Sequence, residues 1–427
     1  MSEESVYPET DLSCLAEGLV VEADFRKTGL NLNQMIVGTT GVGKSVSVSF
    51  PRIMYTYHSS IVIPIAKKEA KDKFTRVLRD RGFEVHVLDF AHPENSDIGY
   101  DPLDFIDSSE DMIQFAGGLI GEDPSRDMHG NYDPYWNHAA TSIAGAEIEM
   151  IRLRAKKKRK RPSFADVIAL HRSLSYKNAG GQVATNLDQE FERLGFEFPG
   201  NMATELWKTV KDLSIRTASC IFSIVNSAYD KMFSERVVEL MKMKNRIDFR
   251  DLGRRKIALF ITTSPVVKTL HRYLDILYSD MFRVLFEEAE GRAEGSLAIP
   301  VHIVCDDFAC GSRIPDFEDY ISIFRAAGIS VTIMLQSESQ LSSMYGEHAA
   351  TTIINNCDTY VYMGGMDHQT CSNVAHRLNK PVHRIMSMPL EQVMVFRRGS
   401  DPYIGRRYQT LSDPYYLYHM NNNDSSR

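Results

Sequence analysis

The stretch from Gly38 to Ser45, GTTGVGKS, constrains the possible folds of this chain more than any other part of its sequence. It fits the phosphate-binding pattern G-x-x-x-x-G-K-[ST] at every fixed position, and the apolar run QMIV precedes it. Glycines let backbone amides approach phosphate oxygens without a Cβ in the way, and a following helix points its positive end at the anion. The sequence therefore predicts a strand–loop–helix unit that binds a nucleoside triphosphate.

Every residue of this loop is a candidate nucleotide-binding residue. Lys44 is expected to reach the β- and γ-phosphates, and the hydroxyl of Ser45 is expected to ligate Mg²⁺. The full set is Gly38, Thr39, Thr40, Gly41, Val42, Gly43, Lys44 and Ser45.

An acidic pair supplies the partner that such a loop needs. Asp306 and Asp307 follow the apolar run Pro300–Cys305, which predicts a strand. We expect Asp306 to hold the Mg²⁺ shell and Asp307 to orient or deprotonate the attacking water. The alternative is that both are solvated loop acids.

Short apolar, β-branched runs alternate with helical patterns over much of the chain. This alternation predicts an α/β fold, a P-loop NTPase with a mostly parallel sheet flanked by helices. The predicted strands are Gln34–Val37, Ser60–Ile65, Glu84–Leu88, Lys256–Ile261, Pro300–Cys305, Ile329–Leu335, Thr359–Met363 and Gln392–Phe396.

The middle of the chain shows helical periodicity and no convincing strand, from about Trp136 to Leu213. We therefore predict an all-α domain inserted into the nucleotide-binding domain. The predicted boundaries are 1–125 for the first part of the nucleotide-binding domain, 126–213 for the insertion, 214–420 for the second part and 421–427 for a disordered tail.

Composition narrows the possible partners. The formal net charge of the 427 residues is -7, so any contact with a polyanion must be local. The strongest basic run is RLRAKKKRKRP, residues 152–162, which could contact DNA phosphates or an acidic partner, or simply be a solvated loop. The acidic start of the chain is not a signal peptide, and no run approaches the ~18 apolar residues of a membrane helix.

Four further segments occur in a fixed order after the phosphate loop. They are LDFAHPENSDIGYDPLDFI (88–106), YWNHAATSI (135–143), DDFACGSRIPDFEDYISIFRAAGISVTIMLQSESQLSSMYG (306–346) and INNCDTYVYMGGMD (354–367). Together they resemble the TraG/TraD-like coupling proteins of type IV secretion systems, which are hexameric ATPases that feed DNA into conjugative machinery. The resemblance runs from about residue 30 to residue 410.

This resemblance implies a RecA-like fold, ATP and Mg²⁺ as cofactors, and DNA-stimulated hydrolysis by a homo-hexamer. The implied partners are single-stranded, relaxosome-bound DNA and other components of the secretion system. It also implies catalytic roles for Gln336, which could sense the γ-phosphate or place the attacking water, and for Arg325, which could reach a neighbouring subunit's nucleotide. The alternatives are that Gln336 only caps the end of a strand and that Arg325 is an ordinary surface arginine.

The chain departs from the family pattern in two places that affect function. The family usually has Asp-Glu where this chain has Asp306-Asp307, which leaves the rate of hydrolysis open. Only 37 residues precede Gly38, where many coupling proteins have two membrane helices. We therefore expect a cytoplasmic chain that is either a soluble variant or is associated with the inner face of the cell membrane through a separate anchoring partner.

Two other functions remain open at this point. One is a nucleotide-dependent substrate adaptor with little or no hydrolysis, and the other is a DNA pump of the FtsK or HerA kind.

Overall fold

The computed structural model describes residues 8–65, 68–121, 134–263, 269–306, 308 and 313–424. It divides into two compact units. One consists of Met1–Asp97 with Asp248–Arg427, and the other is the intervening segment Ile98–Ile247.

Thirteen strands occur in the described residues. They are β1 (Leu12–Ala16), β2 (Leu19–Glu22), β3 (Gln34–Val37), β4 (Ser60–Ile65), β5 (Glu84–Asp89), β6 (Tyr176–Ala179), β7 (Gln182–Thr185), β8 (Ile257–Thr262), β9 (Val301–Cys305), β10 (Ile329–Leu335), β11 (Thr359–Tyr362), β12 (Gln392–Arg397) and β13 (Tyr403–Arg406).

The helices of the first unit are α1 (Phe25–Thr28), α2 (Phe50–Met54), α3 (Lys68–Asp80), α11 (Thr269–Glu290), α12 (Phe317–Ala327), α13 (Glu338–Tyr345), α14 (Glu347–Asn355), α15 (His368–Leu378), α16 (Val382–Met386) and α17 (Pro414–Asp424). Those of the second unit are α4 (Ser109–Ile120), α5 (Pro134–Lys157), α6 (Phe164–Arg172), α7 (Asp188–Glu197), α8 (Met202–Lys211), α9 (Ile215–Met232) and α10 (Glu235–Met241).

A nine-stranded sheet forms the centre of the first unit, in the order β13-β12-β11-β3-β10-β9-β4-β8-β5. The strands from β11 to β5 all run parallel, and β12 is antiparallel to both of its neighbours. Every one of the eight predicted strands belongs to this sheet, so the prediction of a mostly parallel sheet is confirmed. β13 was not predicted because its residues, YIGR, are only half-buried and show no apolar run.

The second unit is built around the 24-residue helix α5, against which α4, α6, α8 and α9 pack. It extends beyond the predicted insertion 126–213 on both sides, because α4, α9 and α10 bury their apolar faces within it. The unit also contains a hairpin of β6 and β7, so it is not entirely helical. Gly180 and Gly181, with φ of 64° and 98°, make the two-residue turn that periodicity did not reveal.

The predicted disordered tail is wrong in its first residues. α17 continues to Asp424, and Asp413 accepts a hydrogen bond from the backbone N–H of Tyr415 in its first turn. Once a helix has begun, each further residue adds a hydrogen bond at little cost, so polar residues can continue it. Residues 425–427 lie outside the described residues.

A buried ion cluster ties the start of the second unit to its end. Asp101 accepts hydrogen bonds from the Ser163 hydroxyl (2.8 Å) and from a guanidinium nitrogen of Arg246 (3.0 Å). The other guanidinium nitrogen of Arg246 donates to Asp104 at 2.8 Å, and all three charged side chains are at most 5% exposed. Because these residues are about 145 positions apart in the chain, the cluster closes the unit where the chain enters and leaves it.

None of the helices in the described part of the chain has the length and apolarity needed to cross a bilayer.

Candidate nucleotide-binding site

Three neighbouring strands bring the phosphate loop, Asp306 and Gln336 to one edge of the sheet. β10 lies between β3 and β9 and is parallel to both, with Leu335 beside Val37 and Ile333 beside Cys305. Gly38, Asp306 and Gln336 therefore all follow the carboxyl ends of adjacent strands. In open α/β sheets, ligands bind in the crevice outside these ends.

The phosphate loop is held on both sides by backbone hydrogen bonds. The N–H of Gly38 donates to the carbonyl of Leu335 in β10, and the N–H of Thr39 donates to that of Gly364 after β11, both at 3.1 Å. Gly43 has a φ of 84°, in the left-handed region that only glycine adopts without strain. The loop is thus fixed by its neighbours and by its glycines before any phosphate binds.

Lys44 curls back over the loop. Its side-chain ammonium donates to the carbonyl oxygens of Gly38 at 2.6 Å and Thr39 at 3.2 Å, and the residue is only 7% exposed. An ammonium has three donors, and bound phosphate oxygens could replace such carbonyl acceptors. That Lys44 reaches the β- and γ-phosphates stays a prediction.

The helix after the loop begins as a wide turn. Residues Ser45–Ser49 form a π-helix, in which Phe50 donates to the carbonyl of Ser45, and α2 follows directly. Pro51 has no N–H and cannot make the usual bond to the residue four positions earlier, which accounts for the irregular turn at this point. The predicted loop-to-helix transition is present, and the N–H of Ser47 in its first turn donates to the carbonyl of Gly43 in the loop at 2.9 Å.

The two predicted metal ligands are in direct contact. The Ser45 hydroxyl donates to a carboxylate oxygen of Asp306 at 2.5 Å, across the end of β10. These residues are 261 positions apart, and only the strand order brings them together. Asp307, the predicted water-activating residue, lies outside the described residues.

Gln336 begins the segment between β10 and α13. Its backbone N–H donates to the side-chain oxygen of Gln340 at 3.2 Å, and Ser337 caps the helix by accepting from the N–H of Gln340. Gln336 therefore lies at the same sheet edge as the phosphate loop, and the side chain of Gln340 holds the backbone of Gln336 in place. The role of Gln340 was not predicted.

Arg325 lies at the opposite edge of the sheet. It is exposed in the last turn of α12, just before β10 begins at Ile329. The seven residues of β10 separate it from the phosphate loop by roughly 20 Å. Arg325 therefore cannot serve the nucleotide of its own chain in this conformation.

Two contacts, one to the loop and one to the turn that follows it, come from a segment that the sequence did not single out. The guanidinium of Arg407 donates to the carbonyl of Val42, and the Thr410 hydroxyl donates to that of Val46 at 2.5 Å. Both residues follow β13. The loop motif itself gives no signal for residues so distant in the chain.

The parallel sheet, the phosphate loop after β3 and the acidic residue after β9, with one strand inserted between them, define a P-loop NTPase. A model of the family described as type IV secretory system conjugative DNA transfer matches residues 10–380 of this chain. The chain belongs to that family, which confirms the resemblance found from its motifs. No curated protein matches it.

Solved structures show the same fold at low sequence identity. The bacterial conjugative coupling protein TrwBdeltaN70, unbound, superposes with a TM-score of 0.62 at 16% identity, over 95% of this chain and 88% of that one. The plasmid coupling protein TrwB in complex with ADP and Mg²⁺ gives 0.59 at 17%, over 90% and 87%. VirB4 of Thermoanaerobacter pseudethanolicus gives 0.54 at 11%, over 97% and 100%.

Proposed function

We propose that this chain is an ATP-binding and ATP-hydrolysing coupling protein that recruits and translocates DNA, or a DNA–protein substrate, for a type IV secretion system. The contact between Ser45 and Asp306 at the end of the phosphate loop carries the proposal, because it joins the two groups that a nucleotide-bound Mg²⁺ requires. Family membership supplies the DNA-transfer context and favours coupling over a general DNA pump.

The residues fit Mg²⁺ with little change. Two neighbouring oxygen ligands in an Mg²⁺ octahedron are about 3 Å apart when each bond is near 2.1 Å. The Ser45 and Asp306 oxygens are 2.5 Å apart, so they need to separate by only a few tenths of an ångström. Ser45 and Asp306 would hold the ion, which would supply positive charge to neutralise the phosphates, and Lys44 would bind the phosphates directly.

Hydrolysis would use groups at the same edge of the sheet. Asp307 follows Asp306 directly and would orient or deprotonate the attacking water, and Gln336 would contact the γ-phosphate or that water. Aspartate is one methylene shorter than the glutamate usual in the family, so the water must lie closer to the strand end. This residue determines whether the chain is a motor or a slowly hydrolysing adaptor.

Arg325 would act on the nucleotide of a neighbouring subunit. It is exposed, it forms no ion pair within the described residues, and it lies too far from its own phosphate loop to act there. An arginine supplied in trans stabilises transition-state charge in phosphoryl transfer. Contacts of this head-to-tail kind close into rings, and we propose a homo-hexamer.

Mixing two inactive variants tests this arrangement. We expect Lys44→Ala subunits and Arg325→Ala subunits to be inactive alone and to recover part of the ATPase activity when mixed. Recovery follows because some interfaces then combine an intact phosphate loop with an intact arginine. Steady-state phosphate release over a series of mixing ratios measures it.

The matched control mixes Lys44→Ala with Gln336→Ala. Both residues serve the same subunit's site, so the Gln336→Ala subunits have no intact site to contribute and this mixture should stay inactive. Equal behaviour of the two mixtures would exclude a role for Arg325 in trans.

A cation-rich pocket in the second unit is the proposed contact for DNA. It has a volume of about 620 Å³ and is lined by residues of the predicted basic run, together with residues near the start of α4. Arg152 pairs with Glu149 (2.6 Å) and Arg161 pairs with Asp104 (3.0 Å).

Three further cations of this pocket are free to bind phosphate groups. Lys156, Arg159 and Lys160 are exposed and have no carboxylate partner among the described residues. Arg159 also has a φ of 53°, a conformation that glycine or asparagine adopts at lower cost at the end of a helix. Five basic residues line this pocket against three acidic ones, Asp104, Asp107 and Glu149, so its lining carries an excess of positive charge on a chain whose net charge is negative.

Removing these charges should weaken DNA binding and its dependence on salt. For the triple variant Lys156→Gln, Arg159→Gln, Lys160→Gln we expect an affinity for a labelled single-stranded oligonucleotide at least about tenfold lower, with the salt slope reduced by about 2. Fluorescence anisotropy at several salt concentrations measures both quantities.

The control removes three positive charges elsewhere in the same unit, by Lys208→Gln, Lys211→Gln and Lys231→Gln. Two of these lysines pair with Glu205 and Glu192 and should contribute little. Unchanged DNA binding by the pocket variant would assign the pocket to an acidic protein or to solvent instead.

Hydrolysis by the purified chain tests the function as a whole. We expect ATP turnover that DNA stimulates and that rises more than linearly with protein concentration, because each active site needs two subunits. Nucleotide binding with negligible turnover under every condition, including with a membrane-anchoring partner from the secretion system, would favour the adaptor. We propose that such a partner holds the chain at the inner face of the cell membrane.

A further inference from the structure

The carboxyl end of β13 lies at the same sheet edge as the phosphate loop. β11 is parallel to β3, β12 is antiparallel to β11, and β13 is antiparallel to β12. Two reversals restore the original direction, so β13 runs the same way as β3. Arg407, the first residue after β13, is therefore brought back towards the nucleotide site, although 365 residues separate it from the loop.

The segment after β13 is fastened to the loop and to the turn that follows it. The backbone N–H of Arg407 donates to the carbonyl of Glu391 at 2.9 Å, which fixes its main chain. Three residues later, the fully buried Thr410 donates to the carbonyl of Val46 at 2.5 Å. Arg407 thus approaches the phosphate loop from a rigid support.

The guanidinium of Arg407 reaches the loop itself. It donates to the carbonyl of Val42, and one of its terminal nitrogens lies 3.5 Å from the point where a Cβ on Gly43 would stand. Arg407 is only half-exposed and has no carboxylate within ion-pair distance among the described residues. A guanidinium has five N–H donors in a planar fork, and a single carbonyl leaves most of them available.

Arg407 and Lys44 contact the phosphate loop in the same way. Both are partly or largely buried cations whose side chains are bonded to backbone carbonyls of the same loop, on residues Gly38, Thr39 and Val42. A polyphosphate bound by this loop would bring negatively charged oxygen acceptors near both cations, and charge-assisted hydrogen bonds are stronger than those to neutral carbonyls.

We propose that Arg407 is a second cationic ligand of the nucleotide, which binds its polyphosphate in cis and acts together with Lys44. The proposal deepens the function proposed above and rests on it. It differs from the role of Arg325, because Arg407 serves the site of its own chain.

Substitutions at position 407 separate charge from simple hydrogen bonding. For Arg407→Ala we expect about a tenfold to hundredfold loss of affinity for ATP with Mg²⁺, the loss expected for a hydrogen bond to a charged group. Arg407→Lys should recover part of the affinity. Arg407→Gln should not, because it keeps side-chain N–H donors but carries no charge. Titration calorimetry measures binding, and pyrophosphate as competitor reports the phosphate contact without the base.

Arg406→Ala is the matched control, because Arg406 is the preceding residue, is exposed and forms no ion pair in the described part of the chain. It should bind ATP like the wild type. Thermal melting without nucleotide should be the same for all variants.

Three outcomes would overturn the proposal. Recovery by Arg407→Gln would assign Arg407 to holding the loop, and an unchanged pyrophosphate affinity in Arg407→Ala would move its contact to the base or ribose. If Arg407→Ala binds ATP with the affinity of the wild type, Arg407 makes no energetically important contact with the nucleotide, and the proposed function still stands. Failure of the wild-type chain to bind ATP would instead refute the proposed function itself.

Discussion

Lys44→Ala should lower the affinity for ATP at least about a hundredfold, whereas Asp307→Asn should leave binding intact and lower the rate of hydrolysis by about 10²–10⁴-fold. The two effects differ because, in the proposed mechanism, the ammonium of Lys44 binds phosphate in every nucleotide state, whereas a carboxylate at position 307 acts only on the attacking water. Equilibrium binding of a non-hydrolysable ATP analogue and steady-state phosphate release separate the two.

Lys380→Ala and Asp401→Asn are suitable controls, since both residues are exposed and lie outside the site. Hydrolysis by Asp307→Asn at the wild-type rate would show that another group activates the water. Binding by Lys44→Ala at the wild-type level would remove the phosphate loop from the proposed site altogether.

Arg246→Met should lower the free energy of unfolding of the second unit by about 3–5 kcal/mol, because it leaves the buried carboxylate of Asp101 without its cation and leaves Asp104 with only the half-exposed Arg161. The chain has only two tryptophans, Trp136 and Trp207, and both lie in this unit. Tryptophan fluorescence during urea unfolding therefore reports on this unit specifically.

The control for this variant is Arg161→Met. Arg161 also pairs with Asp104, at 3.0 Å, but its side chain is 49% exposed, and such pairs contribute about 1 kcal/mol or less. If Arg246→Met and Arg161→Met lose the same free energy of unfolding, burial does not determine how much each ion pair of this cluster stabilises the unit.

The free energy of unfolding that Arg246→Met loses relative to the wild type should also depend on pH. Burial raises the pKa of Asp104 to about 6, against the opposing effect of Arg246, and burial likewise raises the pKa of Asp101. A carboxyl with a raised pKa takes up a proton in the folded state as the pH falls, so it stabilises the fold below that pKa and ceases to do so above it. Without Arg246 both pKa values rise further, and the deficit should be smaller at pH 5 than at pH 8.

The features that the sequence predicts correctly are those for which a single element carries the whole signal. The glycines, lysine and serine of the loop follow from the chemistry of phosphate binding, and runs such as Ile329–Leu335 are apolar because their strands are buried on both faces. Motif order was enough to identify the family. The hairpin of β6 and β7 and the edge strand β13 were missed because their residues are largely polar or half-exposed.

The sequence by itself determined the phosphate loop, the buried strands of the sheet and the family. The tertiary structure alone decided that Ser45 contacts Asp306, that Arg325 lies at the far edge of the sheet, and that Arg407 returns to the loop. The physical reason is that periodicity and composition report the burial of one element at a time. Strand order and direction determine which strand ends meet, and they depend on packing between segments hundreds of residues apart.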